Sequence, residues 1–261
     1  MKILAIGDVC GSIGCGTIRR LLPALKKELN IDFIVINGEN SADGNGITPS
    51  SAEMLFSCGA DVITGGNHSL KRKEIYSMLD ENHFLLRPDN LPGDLAGNGY
   101  CIVDCGYTSV AVINLSGTVY LEGLNASSPF ERADALISLA KSQGAKIILV
   151  DFHAEATSEK RALGLYLDGK VSAVFGTHTH VQTNDAQILP LGTGYITDLG
   201  MTGPIQSVLG VKSSIIISRL KDKNTTEKFV LAEGECMLCG CVFDIDKNTG
   251  LTTSVNLINI S

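Results

Sequence analysis

Phe175-Gly176-Thr177-His178-Thr179-His180-Val181-Gln182 sets two of the chain's five histidines one residue apart, directly after an apolar run. In extended backbone, residues two apart share a face, so both imidazoles can converge on one point. Taken alone, the pair reads as a strand end with two solvated or hydrogen-bonded histidines; joined by other ligands, it becomes a metal site. The rest of the chain repeats the pattern. Apolar runs at 2–7, 33–37, 61–64, 146–151 and 173–176 lead into Gly7-Asp8-Val9-Cys10-Gly11, Asn37-Gly38-Glu39-Asn40, Gly65-Gly66-Asn67-His68, Asp151-Phe152-His153 and the His178-Thr179-His180 segment. In α/β sheets, ligands bind at the carboxyl ends of strands, and the neighbouring glycines permit tight turns and close backbone approach. Singly, Asp8 is a helix cap, Asn40 and Asn67 are turn residues and His153 is a core histidine. Together Asp8, Glu39, Asn40, Asn67, His153, His178 and His180 form the oxygen and nitrogen ligand set of a two-metal site, with His68 beside it. His83 stands outside the pattern and reads as structural or solvated.

The runs that end in these motifs, with a further one at 109–114, alternate with stretches of helical spacing at 17–29, 49–58, 71–80 and 129–142. In the last of these, Phe130, Ala133, Leu136, Ile137 and Ala140 make one apolar stripe for core packing. After about residue 187 strand signals crowd together at 195–197, 214–218, 228–231, 236–245 and 251–260. This is an α/β chain, read as one domain over 1–261, with a late second sheet packed on the first in a layered sandwich.

The 261 residues are 44% hydrophobic, enough for a substantial core, and 28 acidic against 21 basic residues give a net charge of -7. Bulk charge therefore disfavours non-specific binding to nucleic acid or an anionic membrane, and 5% aromatic content leaves few stacking platforms for a long RNA. No apolar segment approaches about 18 residues, and the start lacks the features of a signal peptide, so a cytoplasmic protein without membrane contact is expected. The eight cysteines read as buried thiols. Cys236-Met-Leu-Cys239-Gly-Cys241 has redox or half-zinc spacing, but it lies in an apolar strand-like run with no second pair to complete a zinc set.

The order Gly-Asp, Gly-Glu-Asn, Gly-Asn-His, a lone His and Gly-x-His-x-His resembles the calcineurin-like metallophosphoesterases. "IGDVCGS", "INGENSADG", "GGNHS", "DFHAEATSEK", "GTHTHVQT" and "YITDLGMTGP" are similar to their YmdB-like branch, from Met1 to at least Gly210. The resemblance implies an α/β/β/α sandwich with one metal on Asp8, Glu39, Asn40 and His180 and a second on Glu39, Asn67, His153 and His178. Glu39 bridges the two, and His68 is the uncoordinated catalytic histidine. Cys10 stands where the wider superfamily has a histidine, and Glu39 where it has a bridging Asp. Cys10 is expected as a packed thiol, with thiolate ligation the alternative. The ligand types suit iron, manganese or zinc, and the resemblance favours iron or manganese.

Two such cations clamp the oxygens of an in-line displacement and make hydroxide available near neutral pH; His68 would stabilise or protonate the leaving alkoxide. The resemblance further implies 2′,3′-cyclic nucleotides as substrates, opened at the 2′ bond to 3′-nucleotides. The alternatives are a phosphomonoesterase or RNA-end phosphatase acting on short RNA ends, and a regulatory protein that binds nucleotide or RNA without needing turnover. A homo-oligomer is compatible with the sequence but has no residue-level support. Asp151, Thr177, Thr179 and Asp198 stand close enough to the ligands to orient imidazoles. Arg87 and Lys160 are candidates for phosphate or base contacts, with surface charge the commoner explanation. Gly11-Ser-Ile-Gly14-Cys-Gly16 lacks dinucleotide spacing and reads as a loop beside Asp8.

Overall fold

Strand residues in this chain are apolar on both sides, and the fold buries both. In the computed structural model, which describes residues 1–222 and 224–261, Ile3 and Ala5 face one core while Leu4 and Ile6 face another. The first half of the chain forms β1 (Lys2–Ile6), β2 (Asp8–Val9), α1 (Gly11–Leu29), β3 (Phe33–Asn37), α2 (Pro49–Ser57) and β4 (Val62–Thr64). A 3₁₀ turn (Lys73–Ile75) leads into α3 (Tyr76–Glu81), followed by β5 (Tyr100–Asp104) and β6 (Ser109–Ser116). A second 3₁₀ turn (Glu122–Leu124) precedes α4 (Pro129–Ser142), β7 (Ile147–His153), α5 (Thr157–Tyr166) and β8 (Ala173–Thr177). The remainder comprises β9 (Gln187–Ile188), β10 (Gly194–Ile196), β11 (Met201–Pro204), α6 (Ser213–Lys221), β12 (Cys236–Ile245) and β13 (Thr252–Ile260).

One sheet runs β2-β11-β12-β1-β3-β4, with β13 also on β12; the other runs β5-β6-β7-β8-β10-β9. Between them lies an apolar core in which Ile3, Phe33 and Val35 meet Val112, Leu149 and Phe175. The opposite faces carry the helices. Leu4, Ile34 and Ile36 pack under α1 and α2 through Ile18, Leu22 and Leu55, and Ile113, Ile148 and Val150 pack under α4 and α5 through Leu136, Ile137 and Leu163. The four-layer α/β/β/α sandwich is therefore the consequence of strands that alternate between two apolar faces.

The sheets are not divided as the late crowding of strands implies. The second sheet comes from the middle of the chain, whereas β12 and β13 complete the sheet that β1 begins, with Lys2 to Ile6 antiparallel to Asp244 to Gly240. Residues 214–218 lie in α6, not in a strand; the run Ile215-Ile216-Ile217 has β-branched propensity, but Ile215 alone of the three is buried and Arg219 and Lys221 suit the helix C-terminus. Of 228–231, Leu231 makes an isolated bridge to Val211. The glycine-rich 11–16 stretch is the start of α1 and not a loop, because a Cβ at Gly14 would meet the carbonyl of Thr202 at 2.5 Å and only glycine lets the helix approach β11 this closely. Helix α5 carried no recognised signal. Among the described residues no helix is long and apolar enough to cross a membrane.

Close backbone approach makes particular glycines irreplaceable. A Cβ on Gly7 would lie 1.9 Å from the Gly200 carbonyl oxygen, while one on Gly16 in α1 would meet nothing within 4 Å. Gly7→Ala is expected to lower unfolding free energy by about 2 kcal/mol or more, and Gly16→Ala to raise it by about 0.5–1 kcal/mol. Urea unfolding of both variants checks the contrast.

Candidate metal centre

The inner-facing positions of the strands turn from apolar to polar at one level. Phe33 and Val35 are followed by Asn37 and Glu39, Val62 by Thr64, Leu149 by Asp151 and His153, and Phe175 by Thr177. At this level the two sheets are joined by the fully buried Asp151 carboxylate of β7. It accepts hydrogen bonds from Asn37 of β3 (3.1 Å), from Thr64 of β4 and from Thr177 of β8 (2.7 Å). Burial pushes the Asp151 carboxyl up to about 7 against these donors. Asn37 also accepts the Glu39 backbone N–H at 3.2 Å, and the Asn114 side chain accepts that of Gly65 at 2.9 Å.

Directly above this junction the expected ligands gather in two groups. In one, ligand atoms of Glu39, His153 and His178 lie within 4.8 Å of one another, and Asn67 Oδ1 is 2.8 Å from His153 Nε2. In the other, His180 Nε2 is 3.6 Å from Asp8 Oδ1 and 3.5 Å from the Asn40 amide. Asn40 donates to Glu39 Oε1 at 2.8 Å, which links the groups through Glu39. His68 holds Glu39 twice, through its backbone N–H at 2.8 Å and its Nδ1 at 3.1 Å.

His178 and His180 do not converge from extended backbone, the geometry their spacing suggests. Strand β8 ends at Thr177, and both histidines adopt left-handed backbone, with φ of 98° and 64°. That conformation costs on the order of 1–2 kcal/mol for a non-glycine residue. It sends the rings to different groups. A second buried carboxylate fastens this turn: Asp198 accepts from the Thr179 N–H and hydroxyl and from Lys160 Nζ at 2.6 Å.

The outer nitrogens of all three grouped histidines are occupied. The Thr177 hydroxyl donates its one proton to Asp151, so at 2.9 Å it accepts from His153 Nδ1–H and leaves a lone pair on Nε2. His178 Nε2 pairs with Glu155 at 3.0 Å, and His180 Nδ1 donates to the Leu209 carbonyl at 3.3 Å. His153 Nε2 thus faces Asn67 Oδ1 at 2.8 Å with lone pairs on both atoms, an arrangement that a cation between them makes favourable. Asp8 Oδ1 and Asn40 Oδ1 are buried without a hydrogen-bond partner, as metal-facing atoms would be. Although burial opposes it, His180 and His153 hold the Asp8 carboxyl well below the usual range, and His153 and His68 do the same for Glu39. Burial lowers His153 to about 4, which keeps it neutral at pH 7 as a ligand must be. Donor set, charge and geometry fit divalent cations.

The groups open into a cavity of about 320 Å³ that His68 and Glu155 line from one side and Leu209 and Phe229 from another. Glu155 escaped the sequence reading because it sits in a loop after β7 with no strand-end motif; its place two residues after His153 was the available signal. Arg87 is neither at this site nor on the surface: it is buried and donates to the carbonyls of Pro88, Leu95 and Ala96. Lys160 is likewise buried in its pair with Asp198. His83 is exposed and apart from the cluster. Cys10 is buried, with Sγ 3.7 Å from His180 Nδ1 and 3.8 Å from Met201 Sδ. Cys239 and Cys241 are buried free thiols pushed up to about 11 and about 12 by desolvation.

Strand ends of two stacked sheets meeting around buried carboxylates and histidines are the arrangement of a metallophosphoesterase-type fold. A family model described as YmdB-like protein matches residues 4–258, and the chain belongs to the YmdB-like family. It is 47% identical over 261 residues to a 2′,3′-cyclic-nucleotide 2′-phosphodiesterase of Bacillus subtilis, covering all of this chain and 97% of that one. A solved structure described as a novel phosphatase from Mycoplasma pneumoniae is 34% identical, with a TM-score of 0.92 over 100% of this chain and 93% of that chain. A 5′-nucleotidase precursor of Thermus thermophilus shares the fold at 14% identity and a TM-score of 0.58, over 100% of this chain and 54% of its own.

Removing the Asp151 carboxylate strands three buried donors from both sheets. Asp151→Ala is expected to cost about 3 kcal/mol or more of stability in urea unfolding. A loss within about 0.5 kcal/mol, the range of an ordinary surface change, would show that the junction is dispensable.

Proposed function

We propose that this protein is a two-metal phosphodiesterase that opens 2′,3′-cyclic nucleotides at the 2′ bond and releases 3′-nucleotides. The observation that carries the reading is the orientation of His153, His178 and His180, whose outer nitrogens are bonded so that the inner ones face Asp8, Glu39, Asn40 and Asn67. Asp8, Asn40 and His180 would hold one cation, Asn67, His153 and His178 the other, and Glu39 both. When bound, such cations lower the pKa of water and neutralise phosphoryl oxygens. Iron or manganese suits these imidazole, carboxylate and amide donors.

His68 is bound differently from the other three. Its Nδ1 faces Glu39 at 3.1 Å and Nε2 faces the Asn67 amide at 3.2 Å, and the side chain keeps 28% of its surface exposed. Glu39 thereby fixes a ring that lines the cavity and needs no further ligand role. As water adds to phosphorus and the P–O2′ bond breaks, His68 in its imidazolium form would stabilise the charge growing on O2′ and pass it a proton, and the proton lost by the attacking water would restore the imidazolium. Phosphate then remains on the 3′ oxygen. The structural similarity to a protein described as a phosphatase makes monoester hydrolysis the competing reading, and relative turnover of mono- and diester substrates separates the two. The cavity suits a mononucleotide or a short RNA end; the cytoplasm is the compartment we propose.

Manganese-loaded His68→Ala is expected to retain two equivalents of metal while kcat on 2′,3′-cyclic AMP falls about 10²- to 10⁴-fold. Full activity in that variant would contradict the role of His68. Glu39→Gln is expected to bind fewer than two equivalents, measured by metal analysis after gel filtration; two tightly bound ions would contradict the bridging role.

A further inference from the structure

The wall of the cavity that faces away from the strand ends is apolar, and its construction is unusual. Val208 and Val211 exchange backbone hydrogen bonds of 2.9 and 3.0 Å across a two-residue turn, Leu209-Gly210. Both central residues have positive φ, 54° and 92°. Such turns favour Asn-Gly or Gly-Gly, and a bulky aliphatic residue in left-handed backbone is an outlier. Leu209 nevertheless occupies the position, 47% exposed, lining the cavity. Its carbonyl accepts from His180 Nδ1, so one strained residue both orients a grouped histidine and places an apolar side chain over the same cavity.

Three more apolar residues continue this wall: Val211, Phe229 and Leu231. Lys212 N–H donates to Val230 and Ala232 N–H to Gly210, both at 2.9 Å, which joins the turn to the 230–232 segment. Leu231 packs where Gly11 opens α1; a Cβ there would lie 2.3 Å from Leu231 Cδ1. Phe229 is 60% exposed, with the Arg219 guanidinium 4.2 Å from its ring centroid. Arg219 Nε also donates to the Glu227 carbonyl at 3.1 Å, so the ring has a fixed backing.

We propose that Leu209 and Phe229, with Val211 and Leu231, seat the nucleobase of the substrate. The inference rests on the phosphodiester reading above and deepens it. The cavity of about 320 Å³ is continuous from Glu39 and His68 to this wall. It lies near the lower end of the roughly 300–1,000 Å³ that small-molecule sites occupy. A cyclic phosphate held at the strand ends therefore leaves its base within the same cavity, and the base is the flat, apolar part of such a molecule. The four wall side chains carry no hydrogen-bonding group, so they hold a base by contact area and stacking and do not distinguish its edges. The exposed apolar surface is then a substrate subsite, and a protein partner docked there is the rival outcome.

The test compares kcat/KM for 2′,3′-cyclic AMP and for the base-less methyl riboside 2′,3′-cyclic phosphate, using the manganese-loaded full chain, Phe229→Ala and Leu209→Asn. Wild type is expected to prefer cyclic AMP by about tenfold or more, chiefly through KM, with each substitution reducing that ratio several-fold. Asn is at ease in left-handed backbone, so Leu209→Asn is expected to melt no lower than wild type, which separates a lost contact from a lost fold. A wild-type ratio near one, or a ratio unchanged in both variants, overturns the base seat and turns attention to a protein partner. If metal-loaded wild type hydrolyses neither ester, the phosphodiester reading itself falls and takes this one with it.

Discussion

The structure depends on the Asp151 carboxylate buried between the sheets. Apolar packing alone fixes how far apart two sheets lie but not how one is rotated or slid against the other. Asn37 and Thr64 from one sheet and Thr177 from the other donate to the same two oxygens, which turns loose contact into a defined register. Each of these residues stands just before a member of the cluster: Asn37 before Glu39, Thr64 before Asn67, Asp151 before His153 and Thr177 before His178. A shift of one sheet would separate the cluster.

Above that junction the fold accepts three costs together: buried carboxylates at Asp8 and Glu39, left-handed backbone at His178 and His180, and buried lone pairs on Asp8 and Asn40 without partners. Each is unfavourable in a chain that only has to fold. They share one explanation, since divalent cations would offset the charges, satisfy the lone pairs and justify the turn that parts the two histidines.

Much of this was legible in the sequence because polarity changes abruptly at strand ends. An apolar run followed by Asp, Glu, Asn or His marks both the strand and the level at which a site can form, so eight residues of the site could be named without coordinates, whereas Glu155, in a loop past the strand end, could not. The bonding of each histidine was less accessible. His178 and His180 read as neighbours on one face, but Thr177 ends β8 and the turn after it separates them. Residues 214–218 read as a strand because isoleucine spacing cannot register that one face of α6 is exposed. Arg87 and Lys160 look like surface charges because their partners, three loop carbonyls and Asp198, lie far along the chain or have no pattern of their own. Sheet membership was equally hidden: β12 pairs with β1 across more than 230 residues.

One junction between two sheets would thus create a site for two cations shared by Glu39. X-ray diffraction from crystals grown with manganese, recorded at a wavelength that reveals its anomalous scattering, tests this directly. Two anomalous peaks about 3.5–4 Å apart are expected, with Glu39 touching both. One should contact Asp8, Asn40 and His180, and the other Asn67, His153 and His178. A single peak, or two peaks that share no ligand at Glu39, would contradict it.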